Sequence, residues 1–201
     1  KGLFATLLPM IPLGLVILPF TISFGRDMAD GVTTRFVLFG YRMAKQLVAK
    51  FVSVAILVSL VTVVYCLVLY QVLPLPSMSM LSLANVFAST MILTAALYLL
   101  SFAIAQVFKG FNMIQGVAMV CYFGIAFLTG SMGTFQLPRT LEKAIEWIPF
   151  AAIRETLKMH WGSNTVTDMQ TEWFKLIVFL LITLFLFGLA EFYRRLKIHA
   201  V

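Results

Sequence analysis

Long apolar runs separated by short polar segments dominate the chain. Residues 3–24, 51–72, 83–108, 111–129 and 174–192 carry almost no charge. A helix rising 1.5 Å per residue needs about 20 apolar residues to cross ~30 Å of hydrocarbon, and each run is near that length. The pattern predicts an all-α membrane protein, a polytopic helical bundle with five spans in this chain.

The polar segments have patterns of their own. In residues 25–50, Val32, Phe36, Val37, Leu38 and Phe39 interrupt the polar residues. Asp30 or Thr33 is placed to cap a short helix there, and Gly40 to end it. Phe36 and Phe39 fall three apart and Arg35 and Arg42 seven apart, the spacing of an amphipathic helix lying along a membrane surface. An interfacial turn that only anchors two spans fits the same residues. Pro74 and Pro76 stop the second run. Ala84 with Ala88, and Ser101 with Ala105, are small-xxx-small pairs that permit close helix approach in lipid. Between 130 and 173, Leu141, Ala144, Ile145 and Ile148 recur at helical spacing up to Pro149, and Phe150, Ile153 and Leu157 resume it. This predicts two short helices meeting at a proline, placed either to dip into the bilayer edge or to cap the other helices.

Composition agrees with the pattern. With 61% hydrophobic and 11% charged residues among 201, the chain has too little polar surface to cover a soluble core. One transmembrane domain over 1–201 is expected. The first run lacks a basic leader and a small-residue cleavage site, and its Pro9, Pro12, Gly14 and Pro19 suit a kinked span better than a signal peptide. Cys66 and Cys121 lie inside apolar runs, where a thiol behaves as a small hydrophobe.

The charge is distributed unevenly. Taking alternate loops, one side holds Arg26, Arg35, Arg42, Lys45, Lys50, Lys109, Arg194, Arg195 and Lys197; the other holds Lys1, Arg139, Lys143, Arg154, Lys158 and Lys175. Cytoplasmic loops are richer in Lys and Arg, so the first side is expected inside, with the C-terminus cytoplasmic and 130–173 external. The net charge of +7 comes from loops rather than from a basic patch interleaved with aromatics, which argues against a nucleic-acid partner. Five spans that begin outside, in a sequence without an initiator Met, lead to the expectation of an earlier helix and six spans in the full subunit.

Residues that carry chemistry are sparse. His160 and His199 are expected on opposite sides of the membrane, no carboxylate or thiol cluster stands at metal-ligand spacing, and no G-x-x-x-x-G-K-[ST] loop is present. The sequence therefore points to no catalytic residue, cofactor or metal in this chain. The span interiors hold Asn85, Gln106, Gln115, Tyr65, Tyr98 and Tyr122 but no charge, which disfavours an ion-coupled carrier. Glu191, Tyr193, Arg194, Arg195 and Lys197 read as an interfacial anchor.

The order of these features resembles the ABC-2 type permeases, the membrane subunits of bacterial ABC exporters. The stretch Arg26-Asp27-Met28-Ala29-Asp30-Gly31-Val32-Thr33, then Phe36-Val37-Leu38-Phe39-Gly40 and a basic approach from Lys45 to Lys50, is similar to the family's cytoplasmic coupling helix. Leu137-Pro138 through Trp147-Ile148-Pro149-Phe150 is similar to its external re-entrant helices. Gly40 stands where the family often has Pro, and the family's first helix has no counterpart here.

The resemblance implies a multi-pass plasma-membrane permease subunit that pairs with a second permease subunit, as a homo- or heterodimer. A cytoplasmic ATP-binding cassette subunit, itself holding ATP and Mg, would dock on Asp30, Gly31, Thr33, Arg35, Phe36 and Phe39. An external gate would lie at Ile148, Pro149 and Ile153. Aromatic residues at 14% and eleven Met suit export of lipophilic drugs or amphipathic peptides, and suit ordinary lipid-facing surface as well. Glycans or lipid-linked polymers, or an ATP-independent channel or scaffold, are the alternatives.

Overall fold

The computed structural model describes residues 7–8, 10–41, 43–72, 80–108, 110–128 and 169–199. Within them every element is helical: α1 (Met10–Ala29), α2 (Val32–Leu38), α3 (Met43–Val72), α4 (Met80–Val107), α5 (Phe111–Leu128) and α6 (Met169–His199). Residues 130–168 lie outside the described residues, and with them Ile148, Pro149, Ile153 and the rest of the expected external helix pair.

Four stretches are long and apolar enough to cross a membrane: Met10–Ala29, Met43–Leu69, Leu83–Val107 and Trp173–Tyr193. The fifth expected span, α5, is described over 18 residues. At 1.5 Å per residue it is about 27 Å long, somewhat less than ~30 Å of hydrocarbon.

The helices also outrun the apolar runs that announce them. α1 continues through Arg26 and Asp27 to Ala29, and α3 begins at Met43 rather than at Phe51. Charged residues end the hydrocarbon-compatible stretch without ending the helix, because Arg and Lys are good helix formers. Only about a dozen residues are left between the two helices, and α2 takes up seven of them.

α1 carries the mark of its prolines. It passes through a π-helical segment, Leu13–Ile17, between Pro12 and Pro19. Pro19 has no amide proton for the carbonyl one turn back, and a wider helical register is one way to absorb that loss. The expected kink thus takes the form of a register change in a continuous helix.

α4 is the most buried of the spans and α6 the least. α4 packs on α1, α3, α5 and most extensively on α6. Its Leu93, Leu97, Phe102 and Ala105 meet Leu13, Val16, Ile17 and Phe24 of α1 and Val54 and Val58 of α3 in one apolar core. Of the two small-residue pairs, Ser101 and Ala105 are buried, whereas Ala84 is exposed. α1 also approaches α5 closely: a Cβ on Gly25 would stand 2.9 Å from Ile114 Cδ1.

α4 and α6 run parallel. Phe102 stacks on Phe187 with centroids 5.4 Å apart, and one turn further along both helices Gln106 Nε2 donates to Glu191 Oε2 at 3.1 Å.

Candidate functional site

The turn between α1 and α3 is built by two glycines. Gly31 has φ 67° and Gly40 has φ 84°, left-handed conformations that L side chains adopt at a cost. Gly31 occupies the N-cap position of α2, where no side chain supplies a capping hydrogen bond. Asp30 instead ends α1, its amide donating to the Arg26 carbonyl at 2.8 Å. The expectation that Asp30 or Thr33 caps α2 is therefore corrected: the chain reverses at Gly31, so the cap position falls on a residue without a side chain.

The other end of α2 stops at Gly40, as the sequence leads one to expect. The Gly40 amide donates to the Val37 carbonyl at 2.9 Å and the Tyr41 amide to the Phe36 carbonyl at 3.0 Å. These two bonds around a left-handed glycine are a Schellman motif, whose usual companion is an apolar contact across the same residues. Here the Phe36 and Tyr41 rings meet edge to face at 6.2 Å.

α2 buries none of its residues. Leu38 and Phe39 are 81% and 80% exposed, and Phe36, Val37 and Tyr41 are also exposed. Arg35 is exposed beside them. The consecutive apolar residues surround the helix end, so the expected single apolar stripe is replaced by an apolar tip. Of the six residues assigned to coupling, Arg35, Phe36 and Phe39 stand on this tip. Asp30 and Gly31 form the turn.

Thr33 faces inward instead. It lines a cleft of about 20 Å³ with Phe24, Met28, Gln46, Lys50 and Phe102, room for about one water molecule. Gln46 contributes a buried amide nitrogen that has no partner among the described residues.

Beneath the turn lies a network that no periodicity announces. Lys50 of α3 donates to the Asp27 carboxylate of α1, with both side chains about a third exposed. The same ammonium lies 4.8 Å from the centroid of the Phe24 ring, a cation–π contact. Phe24 is in turn stacked edge to face on Tyr98 and Phe102 of α4, at 5.4 and 5.2 Å. The Tyr98 hydroxyl donates to the Leu47 carbonyl of α3 at 2.8 Å. Arg26 lies over the ring of Phe111, at the start of α5, at 5.9 Å. Every helix that brackets α2 is thus tied to the core by a charged or aromatic contact.

Sequence reasoning singled out the tip but not the base, namely Asp27 and Lys50. Their signal was present: an acidic and a basic residue, each at the edge of an apolar run, where an unpaired charge is costly. Glu191, read as part of an anchor, is half-buried and accepts a hydrogen bond from Gln106.

Among the described residues, no three of His, Cys, Asp and Glu come together. What this end of the bundle offers is exposed apolar area, a guanidinium and a rigidly based turn. Comparison with known proteins finds no family model, curated protein or solved structure that matches the chain. Its function has to be read from the residues themselves.

Proposed function

We propose that this chain is the membrane permease subunit of an ATP-driven exporter and that α2 is the place where a separate cytoplasmic ATP-binding subunit docks. The observation that carries the reading is the tip of α2. Phe36, Leu38 and Phe39 lie exposed beside Arg35 on a short helix fixed at both ends by left-handed glycines. Aromatic and Arg residues are the usual anchors of protein interfaces, and a preordered helix gives up little conformational freedom on binding. The network under the turn suits the same role, because it joins the segment to the spans through Asp27, Lys50 and Phe24.

The end of α2 differs from the family form in one respect. Proline is held near φ −65°, so it does not fit the left-handed position that Gly40 occupies. The chain would present the same kind of docking helix with a different stop. A lipophilic drug or amphipathic peptide is the proposed cargo, and the motor and its Mg–ATP belong to the partner. A second permease subunit would complete the path.

Arg35→Glu and Phe36→Ala test the reading. Truncating an interface anchor costs about 2 kcal/mol or more, a factor near thirty in affinity. Both variants are expected to reach the membrane at normal levels and to lose ATP-dependent transport in proteoliposomes that contain the ATPase partner. Retention of full transport by both would leave α2 as an interfacial anchor only.

A further inference from the structure

A shallow, open apolar groove runs along the outer face of α3, and among the described residues α4 reaches it at Phe87. It has a volume of about 560 Å³, and its lining includes Phe51, Ile56, Ser59, Val63 and Val64 of α3 and Phe87 of α4. Ser59 brings the one polar side chain of the lining, and its hydroxyl is already donated to the Ala55 carbonyl at 2.6 Å. An occupant therefore meets a purely apolar wall, and any polar part of it has to lie beyond the groove's end.

From the basic end of the bundle, the groove follows α3 from Phe51 to Val64, which at 1.5 Å per residue is roughly 20 Å. One leaflet of a bilayer is ~15 Å of hydrocarbon, half of ~30 Å. The length suits a single acyl chain.

The charge beyond the groove points to the head group. At 100° per residue, Lys45 falls on the same face of α3 as Val52, Ile56, Ser59 and Val63. It is exposed and has no acidic partner among the described residues, in contrast to Lys50, which Asp27 engages. An ammonium at the head of an apolar groove complements an anionic phosphate above an acyl chain.

We infer that the groove along α3, edged by Phe87 of α4, is a binding site for an anionic phospholipid, with one acyl chain lying along Ile56, Ser59 and Val63 and the phosphate at Lys45. The site is separate from α2 and does not depend on what docks there.

The test uses the full chain in phosphatidylcholine nanodiscs that contain phosphatidylglycerol carrying a diazirine in its acyl chain, with adducts mapped by mass spectrometry. Adducts are expected to concentrate on Ile56, Leu60 and Val63 over Leu181 and Phe185, exposed residues of α6 that serve as the reference. Ile56→Trp fills the groove and should lower these adducts several-fold; Leu60→Trp repeats the test should the first variant not fold. Lys45→Gln should lower them about five-fold, the effect of one basic residue near an anionic surface, while adducts from a phosphatidylcholine probe stay unchanged. Even labelling of α3 and α6, or no response to either tryptophan, overturns the site. Equal labelling by both head groups overturns the role of Lys45. Cross-links that join two copies through α3, with no lipid adduct, would assign the groove to a second copy of the chain.

Discussion

At the scale of single residues, the pairing of Asp27 with Lys50 does most to define the proposed docking end. Asp27 lies in the last turn of α1, where the helix dipole opposes a negative charge, so the Lys50 ammonium offsets an unfavourable position as well as forming a pair. With both side chains about a third exposed, its worth falls between the ~1 kcal/mol of an exposed pair and the ~3 kcal/mol lost when a buried one is broken. A double-mutant cycle on Asp27→Asn and Lys50→Met, read as thermal unfolding in detergent, should give a coupling of about 1–2 kcal/mol. The exchange Asp27→Lys with Lys50→Asp should recover most of the loss, since it restores the pair and places a cation at the helix C-terminus. Additive single losses, with no recovery in the exchange, would show that the two residues act independently.

At the scale of elements, α2 shows what local sequence encodes and what it leaves out. Gly40 was legible as a stop because a left-handed residue after an apolar run has few other uses, and Phe36 with Tyr41 completes the motif. Asp30 misled because its preference for cap positions does not say which of two adjacent helices it ends. The apolar runs locate the helices but not their ends, because Arg26, Asp27, Lys45 and Lys50 all continue helices beyond the apolar stretch. The base of the site was not legible, because Asp27 with Lys50 and Gln106 with Glu191 are joined across 23 and 85 residues of sequence, where no period reports contact. The Gly40 cap admits a clean test, since no atom of the other described residues lies within 4 Å of a Cβ placed there. Gly40→Ala therefore acts through backbone strain alone, about 1 kcal/mol. Hydrogen exchange at residue 40 and Tyr41 should quicken about five-fold, with rates inside α3 unchanged. Unaltered exchange at both positions would mean that the cap does not hold the end of α2.

At the scale of the whole molecule, the helix directions fix which ends lie together. α2, the Asp27–Lys50 pair, the start of α5 and the Gln106–Glu191 contact share one end of the bundle, which the loop-charge rule leads us to propose as the cytoplasmic end. Single cysteines at Thr33 and Ser163, in a background lacking Cys66 and Cys121, should react with a membrane-impermeant thiol reagent from opposite sides of sealed vesicles. Thr33 should label only from the cytoplasmic side. Reaction of both from one side would reverse or dissolve the proposed topology.

The parallel pairing of α4 with α6 also sets an order in time. α4 emerges from the ribosome well before the helix it packs against most extensively, with α5 and the residues up to Met169 made in between. Until α6 arrives, Phe102 lacks the Phe187 ring and the Gln106 amide lacks its carboxylate acceptor. A nascent chain that ends after α5 thus carries a polar side chain on a membrane helix with its later partner still unmade. The addition of α6 is the step that completes these contacts and closes the bundle.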